Sequence, residues 1–183
     1  MVCACALVAS VAGIALPALK ATRDRDVARL AGRHLAMEMQ RLRFEALKRN
    51  AAVAIRFDPE DLGRMRLYVD GDRDGVLQRD VDAGIDPPIG RSARLSDDFA
   101  GVALGIAHDV PDPEGGGTLI AGSDPIRIGS SNFVTFSPVA TATSGTLYLA
   151  APHGPQVCVR ILGATGRLRV LWFDPVSRTW RQD

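Results

Sequence analysis

The fold turns on residues 1–50, MVCACALVASVAGIALPALKATRDRDVARLAGRHLAMEMQRLRFEALKRN. Met1–Leu19 carries no charged residue. From Lys20 the segment turns polar but keeps an apolar stripe. Ala28, Ala31, Leu35, Met39, Leu42 and Ala46 recur at spacings of three and four, which places them on one face of a helix. Arg29, Arg33, Arg41, Arg43 and Lys48 fall mostly off that stripe. Asn50 tolerates the left-handed conformation that ends helices and marks the stop. The spacing predicts one continuous helix about 70 Å long at about 1.5 Å per residue. Only its second half (residues 20–50) can lie on a globular domain of ordinary size. The first half (residues 1–19) needs lipid or other chains around it.

The 183 residues suffice for one domain plus an anchor. A net charge of +1 names no partner, but its distribution is uneven. Residues 20–49 hold nine Lys/Arg against four Asp/Glu, residues 58–98 six Arg against eleven Asp/Glu, and residues 160–183 five Arg against two Asp. Blocks of opposite sign can pair between copies or subunits, although a solvated face is the usual fate of any single charge. The cysteines are Cys3, Cys5 and Cys158, an odd count at positions that make no disulfide framework. No Cys/His spacing suggests zinc, and the thiols read as small hydrophobes.

A cleaved signal peptide needs a basic start, and none precedes the apolar run. A lipoprotein signal needs a full apolar run before its cysteine, and Cys3 and Cys5 come too early. A membrane helix needs about 20 apolar residues, so Met1–Leu19 is just long enough. Pro17 is a kink that lipid-embedded helices tolerate. The expectation is therefore a single membrane-spanning helix. Taken alone, the basic residues after it argue for a cytoplasmic C-terminal side.

After Asn50 the pattern becomes strand-like. Ala51–Phe57 is a short apolar strand, and residues 58–63 (DPEDLG) form a turn. Arg64–Val69 alternates Met65, Leu67 and Val69 against Arg64, Arg66 and Tyr68, a half-buried strand. Asp70–Gly75 (DGDRDG) is a tight polar loop from which Val76-Leu77 begins the return strand of a hairpin, and 81–90 is a connection. Val102–Ala107 is a strand and 109–117 (DVPDPEGGG) a flexible surface loop. Strands follow at 118–121, 126–128, 133–136, 147–149, 156–162 and 167–173, with 163–166 as a hairpin loop. Short strands with regular turns and no crossover helix imply antiparallel sheets covering residues 51–183.

Several motifs invite a chemical reading. Asp70, Asp72, Asp74 and Gly75 mimic the start of a calcium loop, but its twelfth position is Val81, where the ion needs a bidentate carboxylate. A solvated turn is the better reading, with a weak cation site in Asp70–Gly75 as the alternative. His34, His108 and His153 make no metal or nucleophile motif. Ser130, Ser131 and Ser144 lack an elbow motif, and Asp97-Asp98 reads as a solvated pair. No catalytic constellation or cofactor motif emerges, so the chain reads as a non-enzyme without cofactor or metal. Arg160, Arg167, Arg169, Arg178 and Arg181 are denser. Arg167 and Arg169 share a strand face by parity, Trp172 falls on the opposite one, and Trp180 sits between Arg178 and Arg181. Such a patch suits phosphates with aromatic stacking of bases. Its alternative is an exposed strand face that discourages edge pairing.

The layout resembles the GspH/FimT family of minor pseudopilins among the type IV pilin-like proteins. Gly13-Ile-Ala-Leu-Pro17 looks like the end of the pilin membrane helix. Arg43-Phe-Glu-Ala46-Leu-Lys-Arg49-Asn50-Ala-Ala-Val53 looks like the family's helix-to-strand junction, R-x-E-A-x-x-R-N-x-x-V. Phe136-Ser-Pro138, Cys158-Val-Arg-Ile161 and Gly166-Arg167 resemble its closing segments, and Tyr68-Val-Asp70 with Asp74-Gly75 its acidic hairpin. The basic leader, Gly cleavage point and F-T-L-x-E opening of the family are not in this sequence. Set against the resemblance, either the true start lies upstream of Met1 or the protein cannot be processed; the upstream start is the preferred expectation, since it would also supply the missing cytoplasmic positive charge.

The resemblance implies an α+β, pilin-like fold: a long N-terminal helix packed on antiparallel sheets in a sandwich-like domain. It implies a subunit of a type II secretion system or type IV pilus, anchored once in the inner membrane with its β domain in the periplasm. Its partners would be other pseudopilins or pilins, met through small residues of the apolar helix such as Ala6, Ala9, Gly13 and Pro17. The alternatives are a DNA-binding minor pilin using the C-terminal arginines, and an unrelated membrane-anchored periplasmic β binding domain.

Overall fold

The computed structural model describes residues 2–58, 61, 63–129, 131–152 and 154–182, with side chains from Leu19 onward. Its first element is a helix, α1 (Val2–Arg49), 48 residues long. It stops where expected: Asn50 takes a left-handed φ of 49°, and the Ala51 N–H turns back to the Ala46 carbonyl at 3.3 Å.

Strands and short helices follow in the order β1 (Val53–Phe57), β2 (Arg64–Val69), α2 (Gln78–Ala83), β3 (Pro88–Arg94), α3 (Leu95–Asp98), β4 (Ala103–Leu104), β5 (Val110–Pro111), β6 (Thr118–Leu119), β7 (Ile126–Arg127), β8 (Phe133–Phe136), β9 (Gly145–Ala150), β10 (Gln156–Leu162), β11 (Arg167–Asp174) and β12 (Thr179–Gln182). Among the described residues they form one sheet ordered β3-β2-β1-β8 and a second ordered β12-β11-β10-β9-β4, with β7 also paired to β9. β5 and β6 make a separate ribbon, and every pairing is antiparallel. The architecture is the expected one, a long N-terminal helix on antiparallel sheets.

The apolar stripe read from the sequence is what the helix buries. Ala28, Ala31, Leu35, Met39, Leu42 and Ala46 are all at most 1% exposed. They share one core with the inward residues of both sheets: Val53, Ile55, Phe57, Val134 and Phe136 from the first, Leu147, Leu149, Val157, Val159 and Ile161 from the second. Period-two alternation delivers these residues to one side of each strand. Three alanines in the stripe keep the helix axis close to the sheet, and Gly32 marks the tightest point. A Cβ there would stand 2.7 Å from Val157 Cγ1 and 3.2 Å from Val170 Cγ1.

Three local expectations need correction. Val76-Leu77 does not start a return strand. It leads into α2, and the strand that pairs with β2 is β3, so the hairpin loop runs from Asp70 to Pro87. Two successive apolar residues read as a strand start, but Val76 packs instead with Ala52, Ala54, Tyr68 and Phe133 on the outer face of the first sheet. The 109–117 loop is not simply a flexible surface segment: Val110 is fully buried, and β5 pairs with β6. The C-terminal tail is an ordered strand, β12, whose Trp180 packs with Phe173 and Tyr148. Both belong to a second apolar cluster, with Ile106, Leu119 and Cys158, on the outer face of the second sheet.

Replacing a mid-helix glycine by alanine ordinarily gains about 1 kcal/mol from propensity. At Gly32 the stiff Val157 side chain blocks the added methyl, and overpacking costs about 1–3 kcal/mol. Gly32→Ala should therefore lower Tm in thermal unfolding, and Val157→Ala in the same chain should recover part of the loss. A higher Tm for Gly32→Ala would contradict the close approach.

Candidate functional site

The outer side of α1 carries a second apolar line. Leu19, Leu30, Met37 and Phe44 are 67%, 52%, 63% and 67% exposed. Their spacings of eleven and seven residues approximate whole numbers of helical turns, so they lie along one line, opposite the buried stripe. Asp26, Arg33 and Gln40 fall at the alternate heptad positions of the same line. A helix serving only its own domain needs one apolar stripe. The seven-residue spacing of Leu30, Met37 and Phe44 is a signal the sequence reading passed over, because the 28–46 stripe already accounted for an amphipathic helix. The proposed assembly residues Ala6, Ala9, Gly13 and Pro17 belong to α1, and their side chains lie outside the described residues. The apolar run Met1–Leu19 falls almost wholly there too. Among the described residues no helix is long and apolar enough to cross a membrane.

The acidic loop is organised by its own backbone. Asp70 Oδ1 accepts from the N–H groups of Asp72 (3.2 Å) and Arg73 (2.6 Å), and Oδ2 from Gly75 (3.0 Å). Asp86, fully buried, accepts from Gly71 N–H and Leu77 N–H, both at 3.0 Å, and pins the two ends of the loop. Only glycine fits at 71, where a Cβ would meet the Ile85 carbonyl oxygen at 2.0 Å. Oxygens of Asp70, Asp72 and Asp74 do gather within 4.8 Å of one another. Asp74 is paired with Arg79 at 2.6 Å, and desolvation and the neighbouring Asp72 hold its carboxyl above its usual range. With Asp70 occupied by three amides and Val81 at the twelfth position, the arrangement does the work of a turn. Asp86 was not singled out from the sequence, because its role depends on a chain return.

The arginines divide between two faces. Arg160 lies opposite Arg169 across β10 and β11, Thr146 opposite Arg160, and Arg127 opposite Thr146. Directly opposed residues share a face, so Arg127, Arg160 and Arg169 form a row across the outer side of the second sheet, with exposed Arg167 beside it. The sequence reading missed Arg127, which only the pairing of β7 with β9 brings into line. Glu114 sits in the row, pairing with Arg160 at 3.2 Å and accepting from the Thr146 hydroxyl at 3.1 Å. The Arg169 Nε is buried without a hydrogen-bond partner.

Arg181 is on the other face, opposite Trp172, and pairs with Asp174 at 2.7 Å. The Val176 N–H, then Ser177 and Arg181, hold the Asp174 carboxyl below its usual range. Arg178 is exposed in the β11–β12 turn with a left-handed φ of 52°. Neither tryptophan is free for stacking. Trp180 Nε1 donates to the Pro111 carbonyl at 2.6 Å, and guanidinium carbons of Arg29 and Arg181 lie 4.0 and 5.6 Å from the Trp172 ring centroid.

The other reactive residues have structural surroundings. His34 stacks on Phe99 and lies 4.0 Å from Asp98. Ser144 Oγ accepts from the Gly163 N–H at 3.1 Å, closing the β10–β11 hairpin loop. Burial pushes the Cys158 thiol up, away from nucleophilic character. His153 and Ser130 lie outside the described residues.

No family model matches the chain, and no curated protein matches it. Among solved structures it is similar to the minor pseudopilin EpsH of the type II secretion system of Vibrio cholerae, with a TM-score of 0.49 and 15% identity over 80% of this chain and 94% of that one. It is also similar to the type IV minor pilin FimU of Pseudomonas aeruginosa, with a TM-score of 0.46 and 17% identity over 87% of this chain and 96% of that one. These likenesses are of fold.

Asp86→Asn offers one acceptor to two amides and turns its NH2 on the other, so it should cost about 1–3 kcal/mol in denaturant unfolding. Millimolar calcium should give no heat in titration calorimetry. A saturable heat that Asp72→Asn abolishes would overturn the reading of this loop as a turn.

Proposed function

We propose that this chain is a minor pseudopilin-like subunit of a type II secretion system or type IV pilus, joined to its neighbours through α1. The observation that carries the reading is the second apolar line, Leu30, Met37 and Phe44, on the side of α1 turned away from its own domain. In water such a line is poorly hydrated, and a neighbouring helix would cover it. The polar residues at alternate heptad positions would fix the register of that contact at some loss of strength. This suits a subunit that joins and leaves an assembly.

In this reading the chain divides into an apolar membrane and assembly half (1–19), an amphipathic half (20–50) and a β domain (51–183). Ala6, Ala9, Gly13 and Pro17 would form the assembly face of the apolar half, where the small residues Ala6, Ala9 and Gly13 allow the close approach that helix association in lipid requires. The chain crosses the inner membrane once and holds its β domain in the periplasm. The order of the junction and closing motifs around Arg43–Val53 and Phe136–Arg167 supports the same family. No catalytic step, metal or cofactor enters.

A second reading, nucleic-acid binding during uptake, has one specific observation in its favour: the in-register row of Arg127, Arg160 and Arg169 with Arg167 alongside. Phosphates would track the row, while Glu114 weakens it and both tryptophan rings are already engaged, Trp172 by Arg29 and Arg181 and Trp180 by Phe173 and Tyr148.

Deleting the gene should abolish secretion or piliation. A full-length chain with Met37→Glu and Phe44→Glu should keep its Tm yet fail to restore the function; both functions intact in the deletion would end this reading. For the second reading, a gel shift of the full chain in detergent should weaken steeply with salt and be reduced by Arg167→Ala with Arg169→Ala. A mobility shift indifferent to both removes it.

A further inference from the structure

A cavity of about 340 Å³ opens between α1 and the β10–β11 end of the second sheet. Its walls are Val157, Trp172 and Phe173, and its polar groups are Arg25, Arg29 and His108. The described residues that line it include no carboxylate. Gln156 sets one wall firmly. Its amide donates to the carbonyls of Gly105 (2.7 Å) and Leu149 (3.2 Å) and accepts from Ala107 N–H (2.9 Å). The site is therefore formed before anything enters it.

Two polar atoms in this lining are buried and have no hydrogen-bond partner: Arg29 Nε and His108 Nε2. The Arg29 Cζ lies 4.0 Å over the Trp172 ring centroid, a cation–π contact and not a hydrogen bond. It leaves the Nε–H, which lies in the guanidinium plane, without an acceptor. His108 is held by its ring contact with Phe173, centroids 5.5 Å apart, and not by a hydrogen bond at Nε2. Arg25, Arg29 and His108 line one cavity backed by aromatic and aliphatic walls, which suits a ligand with an anionic end and an apolar body. A planar two-oxygen anion matches a guanidinium better than a point charge does.

We propose that this cavity binds a carboxylate on a short apolar stem, held by Arg25, Arg29 and His108. The site is separate from the outer line of α1, so it stands or falls independently of the assembly reading.

The test uses the full chain in detergent with Trp180→Phe, which leaves Trp172 as the lone tryptophan. Phenylacetate, and a short peptide with a free C-terminal phenylalanine, are titrated against Trp172 fluorescence, with Tm followed in parallel. At least one should give a saturable change and a rise in Tm; which binds tighter tells a free acid from a chain terminus. Phenylacetamide should bind at least about tenfold more weakly, and Arg25→Gln, which leaves the Arg29 stack in place, should weaken phenylacetate by a similar factor. His108→Leu should weaken it too, at unchanged far-UV circular dichroism. No saturable response to either carboxylate, equal binding of the amide, or displacement by inorganic phosphate as effective as phenylacetate would overturn the proposal.

Discussion

The structure depends on one burial event, the laying of the Ala28–Ala46 face of α1 across the inner sides of both sheets. That face meets Val157, Val159 and Ile161 of one sheet and Val53, Ile55 and Phe136 of the other in a single apolar cluster. Leu35, Met39 and Leu42 fill the space between the layers, each contributing about 1.5–3 kcal/mol by burial. The small residues around them set how near the helix lies. A bulkier stripe would hold α1 away from the sheets, and Gly32 shows how little slack remains.

Outside this core the sheets are finished by irregular segments, which remain ordered because their backbone groups find partners. The acidic loop lies over the first sheet, with Val76 tucked beneath it and its amides held by Asp70 and Asp86. The β5–β6 ribbon covers the second and is tied to its edge strand β12 by the hydrogen bond from Trp180 to Pro111. Gln156 does for the strand edge near Gly105 what Asp86 does for the loop. In each case one buried polar side chain replaces ladder bonds that the chain path cannot make.

The surfaces left for other molecules lie on separate faces. The outer line of α1 is apolar and long, the arginine row on the second sheet is partly neutralised by Glu114, and the cavity beside Trp172 is lined by Arg25, Arg29 and His108. Their chemistry differs enough that one partner would not serve for all. An extended helix contact, a polyanion and a small acid each match one of them.

The long helix, its buried face, its stop at Asn50 and most of the strands are legible in the order of the residues, because those signals repeat within a few positions. Val157, Val159 and Ile161 announce their inward face by alternation alone, and Ala28 to Ala46 announce theirs by helical spacing. The second apolar line was equally legible in Leu30, Met37 and Phe44, had the helix been read on both sides. Which distant residues meet is visible only in the folded chain. Arg127 joins Arg160 and Arg169 through strand pairing, Arg181 crosses to the Trp172 face, Asp86 returns to cap Gly71, and Arg29 and His108 arrive unpartnered at one cavity. Strand order and loop return are set by contacts far apart in the chain, and no local periodicity carries that information.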